Sequence, residues 1–280
     1  FIAERDLNAE TRYIPKKTIP SLKGGFEEKI AIIGGGPAGL SCAYYLALTG
    51  YKPIIFEKNE EPGGMLRYGI PSYKLEKDLL AAEIDVIREL GVEIRCGVEI
   101  GKDITIEELR EQGYKGFYVA IGCQRGRKPG ITGENAKGTY AAVDFLREAG
   151  AKESFALEGV GGGGNVAIDA ARISSRCVDA KISMFCLEQR ENMPASKEEI
   201  AEALEEGIEL NCSWGPKEVL EEDGKVAGVV FKKCIRVLDE QGRFSPEYDE
   251  NNTITVPCRH VIFSVGQAID WGHMLDNLHV

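Results

Sequence analysis

Short apolar runs alternate along the chain with segments whose apolar residues recur at helical spacing, and this alternation predicts an α/β fold. Ile30, Ala31, Ile32 and Ile33 form a compact apolar run that reads as a buried strand. Gly34, Gly36 and Gly39 follow, and an apolar stretch over 40–48 continues at helical spacing. A second strand is predicted at 52–56, ending in Glu57. Helices are expected over 79–90, 106–112 and 140–149, and strands over 92–96 and 117–121. Thr105, with Glu108 three residues on, fits a capping box at the start of the 106–112 helix. The pattern then begins again. A strand over 155–161 is weakened by Glu158, Gly159 and Gly161, and a helix runs through Ile168, Ala170, Ala171 and Ile173. A strand at 181–187 ends at Glu188, and an acidic helix over 196–207 starts at Ser196 with Glu198 and Glu199 in its first turns. Its charge run reads as a solvated face. Residues 208–265 read mostly as β, with strands at 208–212, 225–238, 253–256 and 259–265 and a turn at Asp223-Gly224.

The two rounds carry the same chemistry. Gly34, Gly36 and Gly39 spell G-x-G-x-x-G between a strand and a helix. The first glycine permits the tight turn, the second lets a pyrophosphate approach the backbone, and the third lets the helix pack against the strand. The helix N-terminus then presents free N–H groups and a partial positive charge to the phosphates. Glu57 stands where an acid accepts hydrogen bonds from an adenosine ribose. In the second round Gly162, Gly164 and Ala167 spell G-x-G-x-x-A, and Glu188 ends the following strand. The segment 58–78, with Pro62, Gly63 and Gly64 and then Arg67, Tyr68 and Lys74, reads as a loop lining the first site.

Composition narrows the partners. Lys plus Arg number 34 against 45 Asp plus Glu, a net charge of −11, which argues against nucleic acid and an anionic membrane surface. No apolar run approaches the length of a membrane span. The eight cysteines form no C-x-x-C and the three histidines no ligand pattern, so reduced thiols of a cytoplasmic protein are expected. Domains are expected at 1–28 (an arm or linker), 29–150, 151–266 and 267–280.

The chain resembles the glutathione-reductase-type two-dinucleotide flavoproteins, and among them the small (beta) subunit of glutamate synthase and the flavin-binding part of dihydropyrimidine dehydrogenase. The residues that carry the resemblance are IGGGPAGL at 33–40, Glu57-Lys58, GGMLRYGIPSYKL at 63–75, AIG at 120–122, GGGNVAIDAAR at 162–172, NMPASKEEI at 192–200 and VGQ at 265–267. The resemblance implies two Rossmann-like domains, with the nicotinamide domain inserted into the flavin domain. It implies FAD in the first site, with contacts from Gly34, Gly36, Ala38, Gly39, Glu57, Lys58, Gly64, Met65, Lys74, Ile100 and Gly122. In the second site it implies a nicotinamide nucleotide, held by Gly162, Gly164, Asn165, Val166, Ala167, Leu187, Glu188, Ser264, Val265 and Gly266. Hydride would pass from the nicotinamide to the flavin, and electrons onward to iron–sulfur clusters of an upstream domain or a partner, such as a large catalytic subunit. The hydride step needs two stacked rings and no acid or base, so no catalytic side chain is expected.

Three departures from the family pattern shape the expectations. Members that use NADPH carry two basic residues after the second unit's second strand; here Leu187 and Glu188 stand there. A carboxylate accepts from a ribose 2′-OH and repels a 2′-phosphate, so NADH is expected over NADPH unless Arg190 reaches the phosphate. The family's return to the flavin domain brings a Gly-Asp pair, and Ile269-Asp270-Trp271 does not match it. The chain therefore reads as a fragment with the C-terminal flavin segment missing, and weak FAD retention is expected. The iron–sulfur cysteines of the family's N-terminal domain are also absent from it. The missing C-x-x-C argues against a disulfide reductase of the thioredoxin reductase kind, and the 63–75 loop gives no support to a flavin monooxygenase. A non-catalytic nucleotide-binding or scaffold module of a larger redox complex is the alternative.

Overall fold

The computed structural model describes residues 26–151, 160–177 and 180–276, together with 5, 6, 8–11 and 13–16. Much of the expected 1–28 arm, the first part of the 155–161 strand and residues 277–280 lie outside the described residues. Two compact units divide the chain. One comprises 1–124 and 269–280, and the other, 125–268, is inserted into it.

The first unit holds a parallel sheet of order β3-β2-β1-β4, formed by β1 (Lys29–Ile33), β2 (Lys52–Glu57), β3 (Glu93–Cys96) and β4 (Tyr114–Val119). Successive side chains of a strand point to opposite faces, and both faces here are covered. Ile32 and Ile55 pack with Leu40, Ala43 and Ala47 of α1 (Pro37–Leu48). Leu80 and Ile84 of α3 (Lys77–Glu89) join the same cluster. On the other face Ala31, Ile33 and Phe56 pack with Ile106 and Leu109 of α4 (Ile106–Glu111). Burial on both sides is why β1 reads as an unbroken apolar run. A short helix, α2 (Met65–Tyr68), lies between β2 and α3. The capping box of α4 forms as expected: Glu108 N–H donates to Thr105 Oγ1 at 3.1 Å, and Thr105 N–H to Glu108 Oε2 at 2.8 Å.

The second unit also has a parallel sheet, of order β6-β13-β7-β8-β9: β6 (Thr139–Ala141), β7 (Val160–Gly161), β8 (Ser183–Cys186), β9 (Glu209–Cys212) and β13 (Val261–Phe263). One face carries helices. Met184, Cys186 and Ile262 pack with residues of α5 (Ala142–Ala151), α6 (Asn165–Cys177) and α7 (Lys197–Glu205). The other face carries an antiparallel sheet of β10 (Trp214–Glu222), β11 (Lys225–Leu238) and β12 (Phe244–Pro257). Phe185, Val261 and Phe263 pack there with Val219, Val226, Val229 and Phe231. Phe185 and Phe231 stack with ring centroids 3.9 Å apart. A short antiparallel pair, β5 (Arg125–Gly126) and β14 (Gln267–Ala268), brings the two ends of the insertion side by side.

Three findings differ from the sequence reading. The units part at 124/125 and 268/269, not at 150/151, because β6 pairs with β13 and α5 packs on the second sheet. The strand β10 and the first half of β12 were not foreseen. The acidic face of α7 is not simply solvated: Arg172 of α6, 6% exposed, binds Glu206 at 2.7–2.9 Å and also pairs with Glu202.

Candidate functional site

In the first unit, β1 delivers the chain to Gly34 at a φ of 107°, and a Cβ there would lie 2.5 Å from the carbonyl oxygen of Ala120. Only glycine satisfies both conditions. Gly39 faces back onto Gly34, where a Cβ would overlap the Gly34 carbonyl oxygen. Gly36 is the N-cap of α1 and has no side-chain hydrogen bond, and Pro37 opens the helix. By contrast α4 and α7 are capped by Thr105 and Ser196. The first turn of α1 thus keeps donors for an anion. The 62–64 loop crosses this turn. Gly63 N–H donates to Gly35 C=O at 2.8 Å, and a Cβ on Gly64 would come within 2.8 Å of Gly36 Cα. Two glycine backbones thus leave open a strip that side chains would fill.

Glu57 closes the cradle. It is 3% exposed, and its Oε2 accepts from Gly35 N–H at 2.7 Å. Its Oε1 accepts from Asn59 N–H at 2.8 Å and from Asn59 Nδ2 at 2.6 Å. The carboxylate is oriented and stays able to accept further hydrogen bonds, since each oxygen has two lone pairs. Uncapped donors, a side-chain-free strip and a fixed acid fit the pyrophosphate and ribose of a flavin dinucleotide.

The other first-site candidates are spread around this cradle. Ala38 is exposed in the first turn of α1, and Met65 begins α2 behind Gly64. Lys58 is exposed, with Nζ 3.9 Å from Asp270 of the same unit. Lys74 is exposed on the following loop, and Gly122 is exposed at a φ of 67°. The Ile100 side chain, 4% exposed, belongs to the core beside Ile33 and Phe56, so only its backbone is free to meet a ligand. Lys77 was not foreseen. Its Nζ donates to Leu66 C=O at 2.8 Å and Ile70 C=O at 2.6 Å, pinning the end of α2. Burial and the neighbouring Arg67 push its ammonium below the usual lysine range. Its partners are main-chain carbonyls, which leave no side-chain signal in a sequence.

The second unit repeats the turn. Gly162 lies at a φ of 142°, and a Cβ there would sit 2.7 Å from Ser264 C=O. A Cβ on Gly163 would lie 2.8 Å from Glu188 Oε2, as one on Gly35 would lie 3.1 Å from Glu57 Oε2. The two acids occupy matching places against their glycine turns. Gly162, Leu187, Glu188, Ser264 and Val265 line one cavity of about 1220 Å³. Gly164, Asn165, Val166 and Ala167 form the start of α6. Asn165 Oδ1 accepts from Ser196 N–H at 3.0 Å, and Ala195 N–H donates to Gly163 C=O at 3.2 Å, so Ala195 and Ser196 are tied to the glycine turn. Arg190 is exposed in a short 3₁₀ turn, and Gly266 is exposed beyond β13.

The eight cysteines form no C-x-x-C. Cys186 and Cys212 are register partners on β8 and β9, and burial, with Cys212 beside it, pushes the Cys186 thiol up. No metal-holding cluster occurs among the described residues, and no helix among them is long and apolar enough to cross a membrane.

Known proteins are similar to this chain in sequence or in fold. The β-subunit of an NADP(+)-dependent formate dehydrogenase from Moorella thermoacetica is 38% identical over 253 residues, covering 87% of this chain and 35% of that protein. The glutamate synthase [NADPH] small chain of Halomonas elongata is 36% identical over 254 residues, covering 86% of this chain and 53% of that one. The chain therefore spans about a third to a half of the length of these relatives. Among solved structures, Mycobacterium tuberculosis FprA in complex with NADPH superposes with a TM-score of 0.74 at 19% identity, covering 86% of this chain and 71% of FprA, a likeness of fold. The glycine turns, the paired acids and the inserted second sheet all fall within residues 28–270, which match the family model for pyridine nucleotide-disulphide oxidoreductases, and the chain belongs to that family.

Proposed function

We propose that this chain is an NADH-oxidising flavin module that hands electrons to an iron–sulfur acceptor on another domain or partner. The observation that supports this reading most is the repetition of one device: a glycine turn with a strand-end acid against it, once in each unit. Gly34, Gly36, Gly39, Gly64 and Glu57 would hold FAD, and Gly162, Gly164, Leu187, Glu188 and Ser264 the nicotinamide nucleotide. Bound FAD would supply a hydride acceptor that can pass electrons on singly. The chain's own part is positional. The donors of α1 and α6 bind pyrophosphate, Glu57 and Glu188 orient the riboses, and the 62–64 loop excludes water from the flavin phosphates. The relatives are named for iron reduction, formate oxidation or glutamate synthesis, and fold alone does not choose among such acceptors.

Preference for NADH rests on charge. Glu188 shares its cavity with four basic residues. Three of them are engaged: Lys232 with Glu250 at 2.7 Å, Lys181 with Glu209 at 3.0 Å and Lys128 with Asn135 at 2.7 Å. The fourth, Arg127, stands beside Gly266, beyond β13. Relatives carry NADPH in their names, and the reading here is that Leu187 and Glu188 reverse that choice. The test is an anaerobic absorbance titration of the chain supplied with FAD. NADH is expected to bleach the flavin, with kcat/KM at least tenfold above that for NADPH, and Glu188→Arg should narrow or invert the ratio. Higher kcat/KM with NADPH would overturn the role of Glu188. A bound flavin that neither nucleotide reduces would favour a non-catalytic module.

A further inference from the structure

The cavity beside Glu188 has a wall that the glycine motif does not supply. β9 ends at Cys212, and the chain turns through Ser213, at a φ of 63°, into Trp214 and β10. Ser213 N–H donates to Glu188 C=O at 2.9 Å, and Cys234 N–H of β11 donates to Ser213 C=O at 2.9 Å. The antiparallel sheet is thereby tied to the backbone of the acid itself. Gly215 is buried at the join, where a Cβ would lie 2.5 Å from Tyr248 Cε1 and 2.8 Å from Leu187 Cδ2. Tyr248, on β12, and Leu187, after β8, thus converge over a position that has no side chain. Lys232 Nζ sits 4.1 Å from the centre of the Tyr248 ring. Leu187, Glu188, Trp214, Lys232 and Tyr248 all line the one cavity.

Topology says which half of a dinucleotide meets this wall. In an open parallel sheet the ligand lies beyond the carboxyl ends of the strands and crosses at the switch point, here between β7 and β13. The half whose ribose reaches the acid after β8 continues over β8 and β9, and that is the adenosine half. The ends of those strands present Leu187 and Trp214. We infer that the antiparallel sheet supplies the adenine subsite, with Tyr248 and Leu187 as its walls and Gly215 as the residue that gives them room. The inference rests on the reading of the second motif as a nicotinamide-dinucleotide site. It gives β10–β12 a recognition role besides that of covering the parallel sheet.

Anaerobic equilibrium titrations of the full chain, its first site filled with reduced FAD, with NADH, with 5′-AMP and with reduced nicotinamide mononucleotide test it. Loss of one base–aromatic contact weakens binding about tenfold. Tyr248→Ala should therefore weaken NADH and AMP about tenfold each and leave the mononucleotide unchanged. Tyr248→Phe should stay within twofold, and Gly215→Ala, which displaces both walls, should weaken AMP without touching the mononucleotide. A measurement that needs no change in the wall accompanies these. In a Trp271→Phe background Trp214 is the remaining tryptophan, and AMP should change its emission saturably. If the wild-type chain binds NADH and AMP, but the Tyr248 and Gly215 variants bind AMP as the wild type does or Trp214 emission stays constant, the adenine subsite lies elsewhere while the dinucleotide reading stands. If the wild-type chain binds neither nucleotide, the dinucleotide reading falls and takes the subsite with it.

Discussion

Arg172 and Glu206 show how single charges hold the second unit together. Arg172 is 6% exposed and spends its guanidinium on Glu206 and Glu202, while Arg176 reaches the same Glu206 oxygen at 2.6 Å. Burial alone would raise the Glu206 carboxyl, yet the hydrogen bonds from Arg172 and Arg176 hold it below the usual carboxylate range. A folded pKa below the unfolded one means that the stabilisation is fully present above the unfolded value and fades as pH falls through the folded value. Denaturant midpoints should therefore drop as pH falls below the ordinary glutamate range, and Glu206→Gln should flatten that part of the profile. Arg172→Met should cost about 3 kcal/mol at neutral pH, because it leaves Glu206 partly buried without its main partner. An unchanged midpoint in Arg172→Met would mean that the α6–α7 contact does not depend on the ion pair. At this scale the sequence was most informative where spacing constrains chemistry. The strand-end positions of Glu57 and Glu188 follow from counting residues after a glycine turn. Lys77 and the Arg172 pair were not legible, because their partners are backbone groups or side chains far along the chain that only the folded loops bring within reach; Asn59 binds the Glu57 carboxylate only two residues away, a contact that spacing alone does not single out.

Elements were legible in proportion to how evenly they are buried. β1 and β2, covered on both faces, read as apolar runs, and α4 announced itself through its capping box. β10 did not, because Gly215 and Pro216 break its pattern and its charges come as adjacent pairs, Lys217-Glu218 and Glu221-Glu222, instead of alternating with apolar residues. The first half of β12 is mostly polar because much of it faces water. What no pattern revealed is that the antiparallel sheet stands where helices cover the other face of the parallel sheet. Its anchor is the Phe185–Phe231 stack, with Phe231 6% exposed. Phe231→Ala removes a buried ring from between two sheets that are rigid in their own ladders, so the space collapses poorly. The expected cost is about 3–4 kcal/mol by urea denaturation. Thr105→Ala, which removes only a cap on an exposed helix end, should cost about 1 kcal/mol. If the two variants cost the same, the antiparallel sheet is not held by this core.

At the scale of the whole molecule, the division into a unit of 1–124 with 269–280 and an inserted unit of 125–268 carries an energetic expectation. Each unit has its own parallel sheet, its own apolar clusters and its own glycine turn, so each can respond to its own ligand. A ligand that binds only the folded form stabilises by RT ln(1 + [L]/Kd), about 2.7 kcal/mol at a hundredfold excess over Kd. For a domain of this size that is roughly 5–10 °C in midpoint. Calorimetry of the full chain should resolve two transitions, with NADH raising one and FAD the other. Hydrogen exchange should assign the NADH-protected amides to 160–177 and 183–188, and the FAD-protected ones to 34–40 and 57–68. The expectation does not depend on chemistry passing between the sites, since it reads binding alone. A single transition that both ligands raise would show that the units unfold together. The insertion would then be a feature of chain path without being a boundary in stability, and an affinity measured at one site would have to be read as coupled to the other.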